Sequence, residues 1–284
     1  MSDTTEQHTK PAPLLSVEDI SVRFAGIKAL TDVSFQVLPG ELFAVIGPNG
    51  AGKTSLFNVL SRVYQPVAGR VTFDGHDLLL LKAYQAVRLG ISRTFQNLGQ
   101  FPTSTVMDYM LLGRHTRMRS GILAGGLYLG MTRNEEKKNR AYCLHLLDLL
   151  GLKHLSNHTL GSLPYGLQKR ADLARALALE PRLLLLDEPV AGMNLEESED
   201  IASVILDIKE QLGVTQILVE HDMAVVMGIA DRILVLDFGR VIAQGVPAEI
   251  QANPDVIKAY LGEEFGSGAI NSSEAMPIPI DDSQ

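Results

Sequence analysis

The sequence predicts an α/β chain: a parallel-sheet core, an antiparallel β part and an inserted α-helical subdomain. Three observations carry this. Residues 42–46, 183–186 and 216–219 are short, almost continuously apolar runs, which suits strands buried on both faces of a parallel sheet. A helical pattern over 196–211 separates the last two, giving the strand–helix–strand alternation of such a sheet. Residues 33–37 instead alternate apolar and polar, as an antiparallel strand with one wet face does.

Taken in order, residues 1–13 are polar and read as a disordered leader without a cleavable signal. Residues 14–24 read as a strand, with Val17, Ile20 and Val22 set among polar residues. The alternating strand at 33–37 is broken by Leu38-Pro39-Gly40, and the buried run 42–46 follows. A Gly-rich turn at 47–54 then precedes a helical pattern over 55–61. Residues 70–73 with Asp74-Gly75 read as a further strand and turn. From about 97 the text turns Leu-rich and helical, with Gly breaks and a basic cluster at 133–140; the helical subdomain is placed at about 97–175. Residues 233–236 and 240–243 flank Asp237-Phe238-Gly239, a hairpin signal. The domain is expected to span 14–262, with a flexible Ser-, Pro- and Asp-rich tail over 263–284.

Composition narrows the function. The 284 residues, 46% hydrophobic, suffice for one or two packed cores. A net charge of -8, 6% aromatic residues and no Trp argue against nucleic acid as the partner, because phosphate backbones want basic surfaces and bases want stacking rings. The one cysteine, Cys143, rules out an internal disulfide and reads as a small apolar residue on a helix. The uncharged stretch 120–132 falls short of the ~20 residues that a membrane-spanning helix needs, so a membrane role is peripheral.

Gly47-Pro48-Asn49-Gly50-Ala51-Gly52-Lys53-Thr54 fits G-x-x-x-x-G-K-[ST] at every position. Glycines let the backbone curl so that several amides face one phosphate, and the helix that follows offers its positive end to the same anion. Lys53 supplies a charge for the β- and γ-phosphates and Thr54 a hydroxyl for Mg2+. Downstream, Leu183-Leu184-Leu185-Leu186 runs into Asp187-Glu188. Such a strand delivers Asp187 beside the loop, where it can hold a metal through water. Glu188 is left to orient or deprotonate an attacking water.

From 14 to 262 the order of these motifs resembles the ATP-binding cassette (ABC) ATPases, whose core is a RecA-like P-loop NTPase fold. The resemblance implies ATP and Mg2+ as cofactors. It puts Phe24 where the family stacks a ring on adenine and Gln96, in Arg93-Thr94-Phe95-Gln96-Asn97, at the glutamine that senses Mg2+ and the membrane partner. It makes His221 the switch histidine at the γ-phosphate, and it makes Ala191-Gly192-Met193-Asn194 the loop linking the two sites of a dimer. Leu163-Pro164-Tyr165-Gly166-Leu167 occupies the signature position. Here the sequence departs from the usual Leu-Ser-Gly-Gly-Gln: Pro164 has neither hydroxyl nor N–H, leaving Tyr165, Gly166 and the helix start behind them to meet the nucleotide. Met193-Asn194-Leu195 likewise departs from Leu-Asp-Pro.

A narrower resemblance, to the ATPases of branched-chain amino acid importers, rests on five segments. They are 93–97, Leu112-Gly113-Arg114-His115, Tyr165-Gly166, Glu220-His221-Asp222-Met223 and the closing 253–262. It implies a peripheral subunit on the cytoplasmic face of the membrane. Its partners are a second ATPase, identical or not, two transmembrane permeases and, indirectly, an external substrate-binding protein. ATP-driven closure of the pair powers transport. Urea or amide uptake, lipopolysaccharide export and a soluble cassette ATPase remain as alternatives.

Overall fold

The structure, a computed structural model, describes residues 12–95, 101–114 and 129–260. The chain runs β1 (Leu15–Phe24), β2 (Ile27–Val37), β3 (Leu42–Ile46), α1 (Lys53–Leu60), β4 (Ala68–Phe73), β5 (His76–Asp77) and α2 (Ala83–Leu89). It continues through β6 (Ile91–Arg93), α3 (Val106–Arg114), α4 (Leu129–Leu149), α5 (Tyr165–Leu177), β7 (Leu183–Asp187) and α6 (Leu195–Leu212). The last elements are β8 (Thr215–Val219), α7 (Met223–Ile229), β9 (Arg232–Asp237), β10 (Arg240–Gly245) and α8 (Pro247–Gln251).

Two sheets form. The first, in the order β2-β1-β4-β5, is antiparallel. Its leading hairpin turns at Ala25 and Gly26, both at positive φ (44° and 92°), which matches the right-handed twist of the strands. The second, in the order β10-β9-β3-β8-β7-β6, is parallel except for β10, which returns on β9 through the expected hairpin. Every residue of β3, β7 and β8 is buried. Side chains alternate along a strand, so this sheet is the wall between two cores. Leu42, Ala44, Ile46, Leu184 and Leu186 pack with α3 to α7, while Phe43, Val45, Leu183 and Leu185 pack with α1 and the antiparallel sheet.

Several boundaries differ from the sequence reading. β2 begins at Ile27 and β4 at Ala68, earlier than their apolar alternation shows, because the ladder that each makes with β1 extends past the buried face. α1 begins at Lys53, so Lys53 and Thr54 belong to its first turn. α5 begins at Tyr165, so Tyr165, Gly166 and Leu167 are helical themselves; Pro164, at φ −52°, caps it with its ring-fixed backbone. β6 has no counterpart in the sequence reading, since three residues with Ser and Arg among them carry no strand pattern. Cys143 is buried on α4, and burial pushes its thiol up to about 11, so it stays an inert thiol. Among the described residues no helix is long and apolar enough to cross a membrane.

Candidate active site

β3, β8 and β7 are adjacent and end together. Val45 is level with Val219, and Val219 with Asp187. The loop after β3 therefore starts about 10 Å, two strand spacings, from Asp187, and the residues after β8 emerge between them. The carboxyl ends of parallel strands are where such sheets bind ligands.

The loop from Gly47 to Gly52 needs its glycines for close approach. A Cβ on Gly47 (φ 149°) would sit 2.0 Å from the Leu236 carbonyl oxygen, and one on Gly52 (φ 105°) 2.6 Å from that of Ala29. The Gly239 amide donates to the Ala51 carbonyl (3.0 Å), tying the loop to the β9–β10 turn. The first helical bond of α1 runs from the Leu56 amide to the Gly52 carbonyl (3.0 Å), so the amides of Thr54 and Ser55 lie before the ladder begins. The Lys53 ammonium folds back over the loop and donates to the carbonyls of Gly47 (2.6 Å) and Pro48 (3.0 Å). Thr54 is exposed one residue on. Early helical amides, a central ammonium and an open hydroxyl fit a polyphosphate.

Asp187 closes β7 and is 2% exposed. Its Oδ2 accepts from Arg93 Nη2 at 2.5 Å, and its amide donates to Thr94 Oγ1 (3.2 Å). Among the described residues no group of three or more His, Cys, Asp or Glu forms a metal cage. The Asp187 carboxylate and the exposed Thr54 hydroxyl are hard oxygen donors, a donor set that fits a cation such as Mg2+, which takes few protein ligands beside phosphate oxygens and waters.

Glu188 sits at φ 48°, a left-handed conformation that costs a non-glycine residue on the order of 1–3 kcal/mol. Its surroundings impose it: the Glu188 amide donates to the Val219 carbonyl (2.9 Å), and its own carbonyl accepts from the Ala191 amide (3.3 Å) and Lys169 Nζ (3.3 Å). The half-buried side chain is thereby aimed by its backbone. His221 follows β8 with 62% of its side chain exposed.

Between them stands Glu220, which sequence reasoning does not single out. It is fully buried; its carboxylate accepts from the amides of Val190 (2.8 Å) and His221 (3.1 Å). Burial pushes its pKa up, and those amide bonds oppose the shift. Glu220 thus ties the segment after Glu188 to the backbone of His221. In the sequence it figures only as part of the segment 220–223, an acid closing an apolar strand.

Phe24 lies at the tip of the first hairpin, 41% exposed, its ring edge-on to Tyr64 with centroids 4.9 Å apart. β2 leads from that tip to Ala29 and Leu30, which close against Gly52. Gln96 falls outside the described residues.

The family model for "ABC transporter" matches residues 30–191, from the first hairpin through the loop after Glu188. The chain belongs to the ABC transporter family. A second model, "Branched-chain amino acid ATP-binding cassette transporter", matches residues 240–266 of this cassette. Similar relatives include the high-affinity branched-chain amino acid transport ATP-binding proteins BraF of Pseudomonas aeruginosa (39% identical) and LivG of Escherichia coli K12 (38%). Each alignment covers 88% of this chain and 98% of the relative. The probable LivG of Archaeoglobus fulgidus is 34% identical, over 88% of this chain and 96% of the relative. Among solved structures, an ATP-binding cassette of an ABC transporter in its ADP conformation matches with a TM-score of 0.78 and 30% identity, covering 88% of this chain and 99% of that one. A nucleotide-free cassette matches with a TM-score of 0.77 and 29% identity over the same shares. The chain is an ATP-binding, ATP-hydrolysing cassette.

The signature of this cassette sits at the start of α5. Its neighbours in the same chain are the first turn of α6 and the loop before it: a Cβ on Gly166 would lie 3.6 Å from Glu197 Oε1, and one on Gly192 3.9 Å from the Tyr165 ring. Asn194 caps α6, its Oδ1 accepting from the Glu197 amide (3.0 Å). Lys169, one helical turn beyond Tyr165, reaches the Glu188 carbonyl, so α5 touches the segment after β7 directly. The segment matched at the C-terminus also reaches the site. Asp255, Lys258 and Ala259 face Pro48 to Ala51 across a cleft of about 580 Å³.

Proposed function

We propose that this cassette is the motor subunit of a branched-chain amino acid importer, peripheral on the cytoplasmic face of the membrane. It would work with a second ATPase and two permease subunits, and be supplied by an external binding protein. The observation that carries the cargo assignment is the match at residues 240–266, a stretch whose sequence ATP chemistry does not dictate. The names of the relatives support it.

In this reading the loop amides and Lys53 hold the phosphates, and Phe24 lies against the base. Thr54, Gln96 and, through water, Asp187 serve Mg2+, whose charge offsets that on the phosphate oxygens. Glu188 accepts the proton of the attacking water, and His221 contacts the terminal phosphate. Deleting the gene should lower leucine, isoleucine and valine uptake, measured with radiolabelled amino acids at micromolar supply. Unchanged uptake of all three, with urea or amide uptake lost, moves the cargo to those compounds.

The signature acts in this reading on the nucleotide held by the partner's loop, through Gly166 and the first amides of α5. Pro164 only shapes the turn. Pro164→Ser should then alter ATPase activity modestly. Gly166→Asp should nearly abolish it, since it sets a carboxylate beside Glu197 and against the partner's ATP. Gly166→Ala adds only an ordinary contact and separates bulk from charge. The Gly166→Asp defect should appear only in the assembled pair. A folded, isolated Gly166→Asp chain that cannot bind ATP would place the signature in its own subunit's site.

A further inference from the structure

Arg93 has no part in the chemistry above, yet its guanidinium joins two pieces of the site. Nη2 meets Asp187 on β7, while Nη1 donates to Asn58 Oδ1 (2.8 Å) and Ser61 Oγ (3.0 Å) at the end of α1, the helix that carries Lys53 and Thr54. Its backbone is fixed as well: the Arg93 carbonyl accepts from Arg175 Nη2 (2.9 Å). Arg175 is buried on α5 and bonded through Nε to Asp172 Oδ1 (2.7 Å), with its guanidinium 3.8 Å from the centre of the Phe95 ring. Asp172, 1% exposed, also accepts from the Phe95 amide (2.6 Å) and from the Tyr109 hydroxyl of α3 (2.8 Å). A buried network with its acceptors filled holds one geometry.

We propose that Arg93 is the positioning residue of Asp187, and that the buried Arg175–Asp172–Tyr109 cluster sets its place from the helical part of the chain. The proposal rests on the reading of Asp187 as the metal-side carboxylate. An ionised carboxylate this deeply buried needs a compensating cation. Arg93 supplies it from a planar fork whose other arm is anchored on α1, so the carboxylate's position is referred to the helix bearing Thr54. A lysine supplies charge without the fork. Without Arg93, Asp187 turns to other donors, and the cation loses a fixed partner. Removing a group that orients a metal-side residue typically costs about 10–100-fold in metal affinity.

The test is equilibrium binding of a fluorescent ATP analogue to the purified full chain, in Mg2+ and in EDTA. Arg93→Gln should leave the metal-free affinity unchanged and raise the half-saturating Mg2+ concentration about 10-fold or more. Arg93→Lys should fall between, and Asp172→Asn should shift the Mg2+ requirement the same way. In an Asp187→Asn background Arg93→Gln should add nothing, since the group it positions is gone. An unchanged or lowered Mg2+ requirement in Arg93→Gln overturns the proposal. So does full additivity with Asp187→Asn, or an equal loss of metal-free affinity. Should Arg93→Gln fail to fold, Arg93→Lys decides by the same criteria. Wild-type binding indifferent to both Mg2+ and Asp187→Asn would instead remove the metal-side reading of Asp187, and this proposal with it.

Discussion

Glu188→Gln is expected to leave ATP binding intact and to slow hydrolysis by about 10²–10⁴-fold, the usual worth of a positioned base. The substitution keeps the volume and shape of the side chain. The backbone at φ 48° is held by Val219, Ala191 and Lys169 through main-chain atoms of residue 188 that the change does not touch. What disappears is the capacity to take a proton. Phosphate release by the assembled complex measures it, and release at the parent rate would refute the role of Glu188. Bound but uncleaved nucleotide should also hold the cassette pair closed on size exclusion. A Glu188→Gln chain that stays monomeric in saturating MgATP, alone and with its cognate ATPase, contradicts the pairing in which the signature of one chain meets the nucleotide of the other.

Lys53→Ala should abolish hydrolysis and weaken ATP binding. The ammonium lies across the phosphate loop on the carbonyls of Gly47 and Pro48, at its centre. A charge-assisted hydrogen bond is worth about 1.5–3 kcal/mol, so removing one from the phosphates weakens binding roughly 10–100-fold. The loop should keep its shape, because the bonds of Ala51 to Pro48 and to Gly239 do not involve Lys53. Isothermal titration with ATP measures the change. A Lys53→Ala chain that binds and hydrolyses ATP as the parent does would exclude this loop as the phosphate site.

What is legible in the sequence is contiguous. The phosphate loop is eight neighbouring residues whose types the backbone demands, as Gly47 and Gly52 show by the clashes a Cβ would make. Asp187 and Glu188 are legible because four leucines mark the strand that delivers them. Asp237-Phe238-Gly239 announces its hairpin, and Phe238 and Gly239 do take positive φ. What is not legible depends on pairing at a distance. Arg93 meets Asp187 across 94 positions, on a three-residue strand with no apolar pattern. The buried acid of Glu220 has its meaning only once Val190 lies over it, and the strain at Glu188 appears only when β8 fixes its amide. The start of α5 at Tyr165 escapes the sequence because the proline before it reads as a break, whereas here it caps the helix.

One measurement separates ATP binding at this loop from activation of the attacking water by Glu188. Nucleotide retention and phosphate release from MgATP are followed together, on the assembled complex, for the parent chain, Glu188→Gln and Lys53→Ala. The parent is expected to retain and cleave, Glu188→Gln to retain with little cleavage, and Lys53→Ala to retain less than the parent and not to cleave. Equal phosphate release from all three would contradict this expectation.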